Sequence, residues 1–357
     1  MDMQRAFLAI IISFVILIGY QYYFMPPPIP PGQVEQSGNQ ETAGNAVRQG
    51  ENASVPAEPA PPLPVQTSVQ ATQAVAVNPD AREISVETPL YRAVFFEQGG
   101  GLKSFILKKY RTAKAEDAPS MEMISTTNPA ELPMIFSLDN GTGADLPLFK
   151  AEKRSLQVKE GGKATLKMTA VQADGIRIER YLTFTSETYL IDSRYVLTNT
   201  AAVPLQISPA LVMTNGPFAS GSADSRYMFS GPAALVNGKL EEIKPKKLAQ
   251  GTYSLQGQLR WAAHVDNYFM NALIPDPGNM GTGMFTVVGE DKVRTVLANG
   301  IRKLAPEESE EFRYEGFFGP KKLAYLQATG YDLAEAVNFG WFDILAKPML
   351  YLLNFFY

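Results

Sequence analysis

The chain contains no cysteine and only one histidine, His264. Without a thiol it has no disulfide, no thiolate nucleophile, no Cys-ligated zinc and no lipid-modified cysteine. The absence of Cys also suits an oxidising compartment, where stray thiols are a hazard. A single imidazole removes most acid–base and metal readings, because histidine is the usual general base and the commonest metal ligand. Excess positive charge is missing as well. Lys and Arg total 32 against 36 Asp and Glu, a net charge of -4. With no basic cluster interleaved with aromatics, this argues against nucleic-acid binding. Phosphate-loop chemistry is also absent. Gly99-Gly100-Gly101 lacks the G-x-x-x-x-G-K-[ST] pattern, and the run from Gly231 has the wrong glycine spacing, with Leu240 after Lys239.

What the chain does have is 357 residues, 45% of them hydrophobic and 19% charged. That balance fits neither general disorder nor a membrane protein throughout. The length leaves room for two or three units, and the composition shifts along the chain mark them.

Residues 1–25 read as a transmembrane anchor. Ala6 to Met25 carries no charged residue and as a helix spans about 30 Å, roughly one hydrocarbon core. Tyr20, Tyr22, Tyr23 and Phe24 gather at its far end, as an interfacial belt does. Arg5 precedes the run and no Lys or Arg follows until Arg48. The positive-inside bias therefore predicts a cytoplasmic N-terminus and an exported remainder. A cleaved signal peptide fits less well, since bulky aromatics and Pro26-Pro27-Pro28 stand where small residues would mark the cut. Residues 26–80 are rich in Pro, Gln, Ala and Val, with no Phe, Trp or Tyr before Tyr91. Such a segment cannot bury enough apolar surface to offset its chain entropy, and reads as an extended tether.

Residues 81–319 read as a mainly β domain. Two strand-like runs are expected across Gly99-Gly100-Gly101, where glycine permits positive φ. From Ile176 to Thr185 the pattern alternates. Ile176, Ile178, Leu182 and Phe184 point one way, and Arg177, Glu179, Thr183 and Thr185 the other. Ile191, Tyr195 and Leu197 share one face of the next run, and a further run lies over 161–171. Turn signals separate the strands, and helical patterning is absent until after Pro320, which predicts an antiparallel sandwich.

Around His264 and Asp266 stands a dense apolar set: Trp261, Tyr268, Phe269, Leu273 and Ile274. The two polar residues are two apart and would share a strand face. They could act as an acid–base pair, but no further catalytic partner is evident. A core strand carrying a satisfied or exposed histidine is the plainer reading.

Several strings resemble the YidC membrane protein insertases of Gram-negative bacteria, in the YidC/Oxa/Alb family. They are "MDMQRAFL" at the start, "GGGLKSFILKKY", "WAAHVDNYFMNALIP", "YEGFFGPKKLAYLQATGYDLAEAVNFGWF" and "LAKPMLYLLNFFY". The resemblance covers nearly the whole chain. It implies an antiparallel β-supersandwich periplasmic domain, similar to galactose mutarotases, held by an N-terminal transmembrane helix in the inner membrane. It implies a non-enzymatic insertase and chaperone with no cofactor. Its partners would be nascent membrane proteins, Sec translocon components and the lipid bilayer, without nucleic acid. The family's membrane core, with its groove Arg, is expected to lie beyond Tyr357.

Residues 320–357 then read as a helical coupling segment. A short helix is expected from Lys321 to about Thr329, with Gly330 as its C-cap. Further on, Asp343, Lys347 and Asn354 fall within about 40° on a helical wheel. Trp341, Phe342, Ile344, Leu345, Leu352 and Phe355 lie among the apolar remainder. Pro348 kinks or restarts the helix. A narrow polar stripe on an apolar cylinder predicts an amphipathic helix in the membrane interface. Two competing readings remain: a mutarotase-like epimerase, for which one histidine is a poor endowment, and an anchored carbohydrate- or peptide-binding module.

Overall fold

The computed structural model describes residues 75–113, 115, 117–142, 146–216, 229–276, 282–289 and 291–337. By compactness the chain divides into 1–63 and 64–357, and the described residues all fall in the second unit. Arg5, the anchor, most of the tether, and the segment holding Trp341, Phe342, Ile344, Leu345, Lys347, Pro348, Leu352 and Phe355 lie outside them.

The described residues form 21 strands. In chain order they are β1 (Glu83–Glu87), β2 (Tyr91–Phe96), β3 (Leu102–Arg111), β4 (Ser120–Ser125), β5 (Ile135–Ser137), β6 (Lys150–Ala151) and β7 (Ser155–Gln157). Next come β8 (Lys163–Val171), β9 (Ile176–Thr185), β10 (Leu190–Asn199), β11 (Leu205–Ile207), β12 (Ala210–Asn215), β13 (Gly231–Val236) and β14 (Lys239–Glu242). The last are β15 (Tyr253–Leu255), β16 (Leu259–Val265), β17 (Phe269–Pro275), β18 (Thr282–Val288), β19 (Lys292–Ala298), β20 (Arg302–Leu304) and β21 (Ser309–Pro320). Two short helices accompany them, α1 (Pro245–Leu248) and α2 (Leu323–Thr329), with 3-10 turns at Pro129–Glu131 and Leu333–Ala336.

A nine-stranded sheet, β14-β13-β16-β17-β21-β10-β9-β8-β6, is the largest layer. Two five-stranded sheets, β4-β3-β2-β1-β7 and β15-β18-β19-β12-β5, accompany it. Pairing is antiparallel except between β1 and β7 and at one isolated bridge. The mainly β antiparallel architecture is thus the one expected.

The alternation read in β9 is present. Ile176, Ile178, Leu182 and Phe184 are fully buried. Opposite them, Ile191, Tyr195 and Leu197 of β10 are fully buried too. The first two expected runs are in fact three strands, because the hydroxyl of Thr88 accepts from the backbone N–H of Leu90 and Tyr91 and folds the chain back between β1 and β2. Between β2 and β3, Gly99 and Gly100 take φ of 77° and 67°, the left-handed region that glycine enters at least expense. The expected helix begins at Leu323 rather than Lys321, since the Lys321 N–H is drawn to the carbonyl of Tyr268. Gly330 caps it with φ of 84° and its N–H on the Leu326 carbonyl.

Candidate functional site

One half of the large sheet is wet on its outer face and the other half is not. β9 alternates buried and part-exposed residues along its length, whereas every residue of β17 is buried. The outer face there is covered by the chain's own segment 321–337. Its apolar residues Leu326, Leu333 and Ala336 are buried in the core. Fully burying a leucine stabilises by about 1.5–3 kcal/mol, so two of them hold this short segment firmly.

Polar contacts fix the register of that seam. The Trp261 indole Nε1–H donates to the Asp332 carbonyl at 3.3 Å. Arg260 Nε donates to the Asp332 carboxylate at 3.0 Å and its guanidinium lies 5.6 Å from the Tyr331 ring centroid. Burial raises the Tyr331 pKa, and the nearby Glu315 carboxylate on β21 raises it further. At the other end Tyr325 packs edge-on against Tyr189, with centroids 5.7 Å apart, and Lys322 lies over the Tyr110 ring. Residues from β3, β16 and β21, with Tyr189 just before β10, therefore converge on one segment.

A pair of carboxylates lies under this seam. Asp192 of β10 stands directly opposite Glu315 of β21. Burial raises both above the ordinary carboxylate range, and the Asp192 charge raises Glu315 further. The Tyr331 hydroxyl nearby works the other way at Glu315.

His264 and Asp266 do not share a strand. His264 sits in β16 and is buried; Asp266 follows the strand end. The Asp266 carboxylate accepts from the backbone N–H of Tyr268 at 2.7 Å and Phe269 at 2.6 Å. It closes the β16–β17 hairpin, which is a structural occupation. Burial lowers the His264 pKa to about 4, despite the nearby Asp266 charge, which raises it. Trp261, Phe269, Leu273 and Ile274 are buried, but Tyr268 sits on the hairpin turn at 61% exposure, so the apolar set is smaller than expected.

Sequence reasoning missed Arg180. The alternation places it on the buried face between Ile178 and Leu182, and it is fully buried. Its Nη1 donates to the Gly100 carbonyl and its Nε reaches the Ser193 hydroxyl at 3.3 Å. Its guanidinium stacks 5.0 Å from the Tyr195 ring centroid. Burial lowers its pKa. The signal was available: one charged residue at an inward position of a strict alternation.

Set against known proteins, the family model described as the YidC periplasmic domain matches residues 83–352. The chain belongs to that family. Among curated YidC relatives, it is 33% identical over 362 residues to the membrane protein insertase YidC of Oleidesulfovibrio alaskensis, covering all of this chain and 64% of that protein. It is likewise 33% identical over 361 residues to the one from Geobacter metallireducens, covering 99% of this chain and 64% of the relative. The chain thus spans 64% of the length of these YidC relatives. Among solved structures it is similar to a galactose mutarotase-like protein from Lactobacillus casei. That match has 12% identity and a TM-score of 0.47, covering 66% of this chain and 99% of that one.

Proposed function

We propose that this chain is the anchor and exported portion of a membrane protein insertase, working alone or beside the Sec translocon in a bacterial inner membrane. Residues 1–25 cross the bilayer with the N-terminus and Arg5 in the cytoplasm, 26–80 form the tether, 81–319 the periplasmic sandwich, and 320–357 couple it to the bilayer-embedded part. The observation that carries this reading is the seam. Segment 321–337 is held to the sandwich by Trp261 and Arg260, both bonded to Asp332.

The physics asked of such a machine is transfer, not covalent chemistry. Moving apolar segments into lipid is favourable by about 25 cal/mol per Å². The barrier lies in carrying polar ends and unpaired backbone groups through hydrocarbon. A domain that fixes the approach of an interfacial helix contributes positioning. Trp341, Phe342, Ile344, Leu345, Leu352 and Phe355 are the apolar surface that helix would sink into the interface, with Lys347 at the headgroups and Pro348 breaking the helix.

The reading is tested in cells that depend on the gene product containing this chain. Photocrosslinkers placed at exposed positions beside the seam should capture nascent membrane proteins and Sec components. Insertion of a reporter membrane protein should fall when Leu333→Asp opens the seam. Unchanged insertion, with the seam shown to be open by proteolysis, overturns the coupling role.

A further inference from the structure

β4 is the terminal strand of its five-stranded sheet and pairs with β3 alone. Such an edge presents a row of unpaired N–H and C=O groups, a template for another strand. A cleft of about 250 Å³ runs beside it, and residues 122–126 belong to its lining. A strand face contributes every second residue to a wall. Five consecutive residues make this wall the backbone edge itself.

The cleft is acidic. Glu122, Glu131 and Asp291 line it against Lys292 alone, three negative charges to one positive. Glu122 accepts from the Ser104 hydroxyl at 2.6 Å and Glu131 from Lys292 Nζ at 2.7 Å. A carboxylate has about four acceptor sites, so most stay open. Arg294 is outside the lining, and Asp139 and Glu131 beside it offset its charge. Among the described residues no three acidic or histidine side chains are grouped closely enough for a metal ion. The spacing suits a cation carried on a long side chain. Thr214 and Asn215 line the same cleft, only 6% and 7% exposed, and Thr214 Oγ1 and Asn215 Nδ2 have no partner. Asn215 Oδ1 is taken by Asn271 Nδ2 at 2.8 Å, and Asn271 Oδ1 is left over in turn. Buried polar atoms without partners are uncommon enough to require a reason.

We propose that this cleft binds an extended basic segment of another protein, which pairs with the free edge of β4 and sets a Lys or Arg side chain among Glu122, Glu131 and Asp291. Main-chain bonds along the edge supply affinity and the acidic lining supplies selectivity. Lys and Arg side chains carry donors only, which the three carboxylates and the Thr214 oxygen accept. The Asn215 amide is left to donate to a main-chain carbonyl of the added strand. The chain's own tether is a poor occupant, because residues 26–80 carry Arg48 alone against Glu35, Glu41, Glu51, Glu58 and Asp80. Any acidic segment meets the same repulsion.

The test uses the full chain in detergent micelles and three peptides labelled with an uncharged fluorophore, acetyl-Thr-Val-Lys-Val-Thr-Val amide and its counterparts with Gln or Asp in place of Lys. By fluorescence anisotropy the Lys peptide should bind about tenfold more tightly than the Gln peptide, and the Asp peptide most weakly. Asp291→Asn, on the exposed turn before β19, and Glu122→Gln should each weaken the Lys peptide about threefold and leave the Gln peptide unchanged, with thermal melts confirming the fold. If Glu122→Gln fails to fold, Asp291→Asn alone carries the test. N-methylation at alternate residues blocks one edge of an extended peptide. Blocking one edge of the Lys peptide should abolish binding, and blocking the other should not. Equal binding of the Lys peptide and either counterpart, or no loss in Asp291→Asn, overturns the acidic site. Spermidine competing as well as the Lys peptide, or binding that survives N-methylation of either edge, overturns strand addition. Reporter insertion in cells is read separately, so failure of this site and failure of the insertase reading are told apart.

Discussion

Trp261 and Asp332 are joined by one hydrogen bond, indole Nε1–H to backbone carbonyl, 3.3 Å long and 71 residues apart in sequence. It ties the fully buried indole of β16 to the turn that follows α2. Trp261→Phe keeps most of the buried area and loses the donor, so it should cost about 1 kcal/mol. Trp261→Ala also opens a cavity and should cost about 3–5 kcal/mol. Urea melts measure both. Hydrogen exchange in 331–337 should quicken in the alanine variant before the strands exchange.

His264 makes stability depend on pH. Its pKa is about 6.5 when unfolded and is lowered to about 4 by burial in the fold. Below pH 6.5 the unfolded chain therefore binds a proton that the folded chain does not. Stability is whole above that value and falls as pH drops toward 4, by about 3 kcal/mol. In His264→Gln this part of the loss should vanish, read as a flatter curve of urea midpoint between pH 6.5 and 4.

Asp192 and Glu315 shift the balance the other way. Both are raised in the fold, burial first among the causes. The protonated forms are favoured by folding, so stability is greatest below the unfolded carboxylate range. It is lost as pH rises through the folded values. Glu315→Gln removes one charge and keeps the side chain's size and shape. The melting temperature at pH 7 should rise by a few degrees, and the gain should shrink on acidification.

Arg180 is a buried cation stacked on Tyr195 and held to Gly100 and Ser193, with no ion-pair partner among the described residues. Desolvating a guanidinium is expensive, and replacement of buried charges by apolar side chains of similar volume is often neutral or stabilising. Arg180→Met should unfold at the same or higher urea concentration than the parent. A drop equivalent to more than about 2 kcal/mol would show that the Gly100 contact matters more than the desolvation.

Two glycines separate crowding from backbone strain. A Cβ at Gly101 would lie 2.4 Å from Leu132 Cβ and 3.0 Å from the Pro133 carbonyl. Gly101→Ala should therefore destabilise by about 1–3 kcal/mol. At Gly161 a Cβ meets nothing within 4 Å, but φ is 67°. Gly161→Ala should cost about 1 kcal/mol, from backbone conformation alone.

Where one sheet face meets water, the sequence was easy to read. β9 shows its period of two because only its inner face is packed. β16 and β17 lose the alternation of buried and exposed residues because segment 321–337 covers what would be their wet face. That cover joins Trp261 to Asp332, 71 residues apart, and no local pattern announces it. Thr88 hid a strand break inside what reads as one run, since a hydroxyl cap leaves little mark on hydropathy. The apolar helix expected beyond 337 lies outside the described residues. For it, Asp at Leu345 or Leu352 should abolish membrane flotation where Asp at Asn354 does not.

The clamp on residues 323–337 is tested most directly by native-state hydrogen exchange on the full chain in detergent. Amides of α2 and the following turn should be protected to within about 2 kcal/mol of those in β16 and β17, and Leu333→Asp should abolish that protection while the strands keep theirs. Exchange of 323–337 at the rate of unstructured chain in the unmutated protein, beside fully protected strands, would contradict the account.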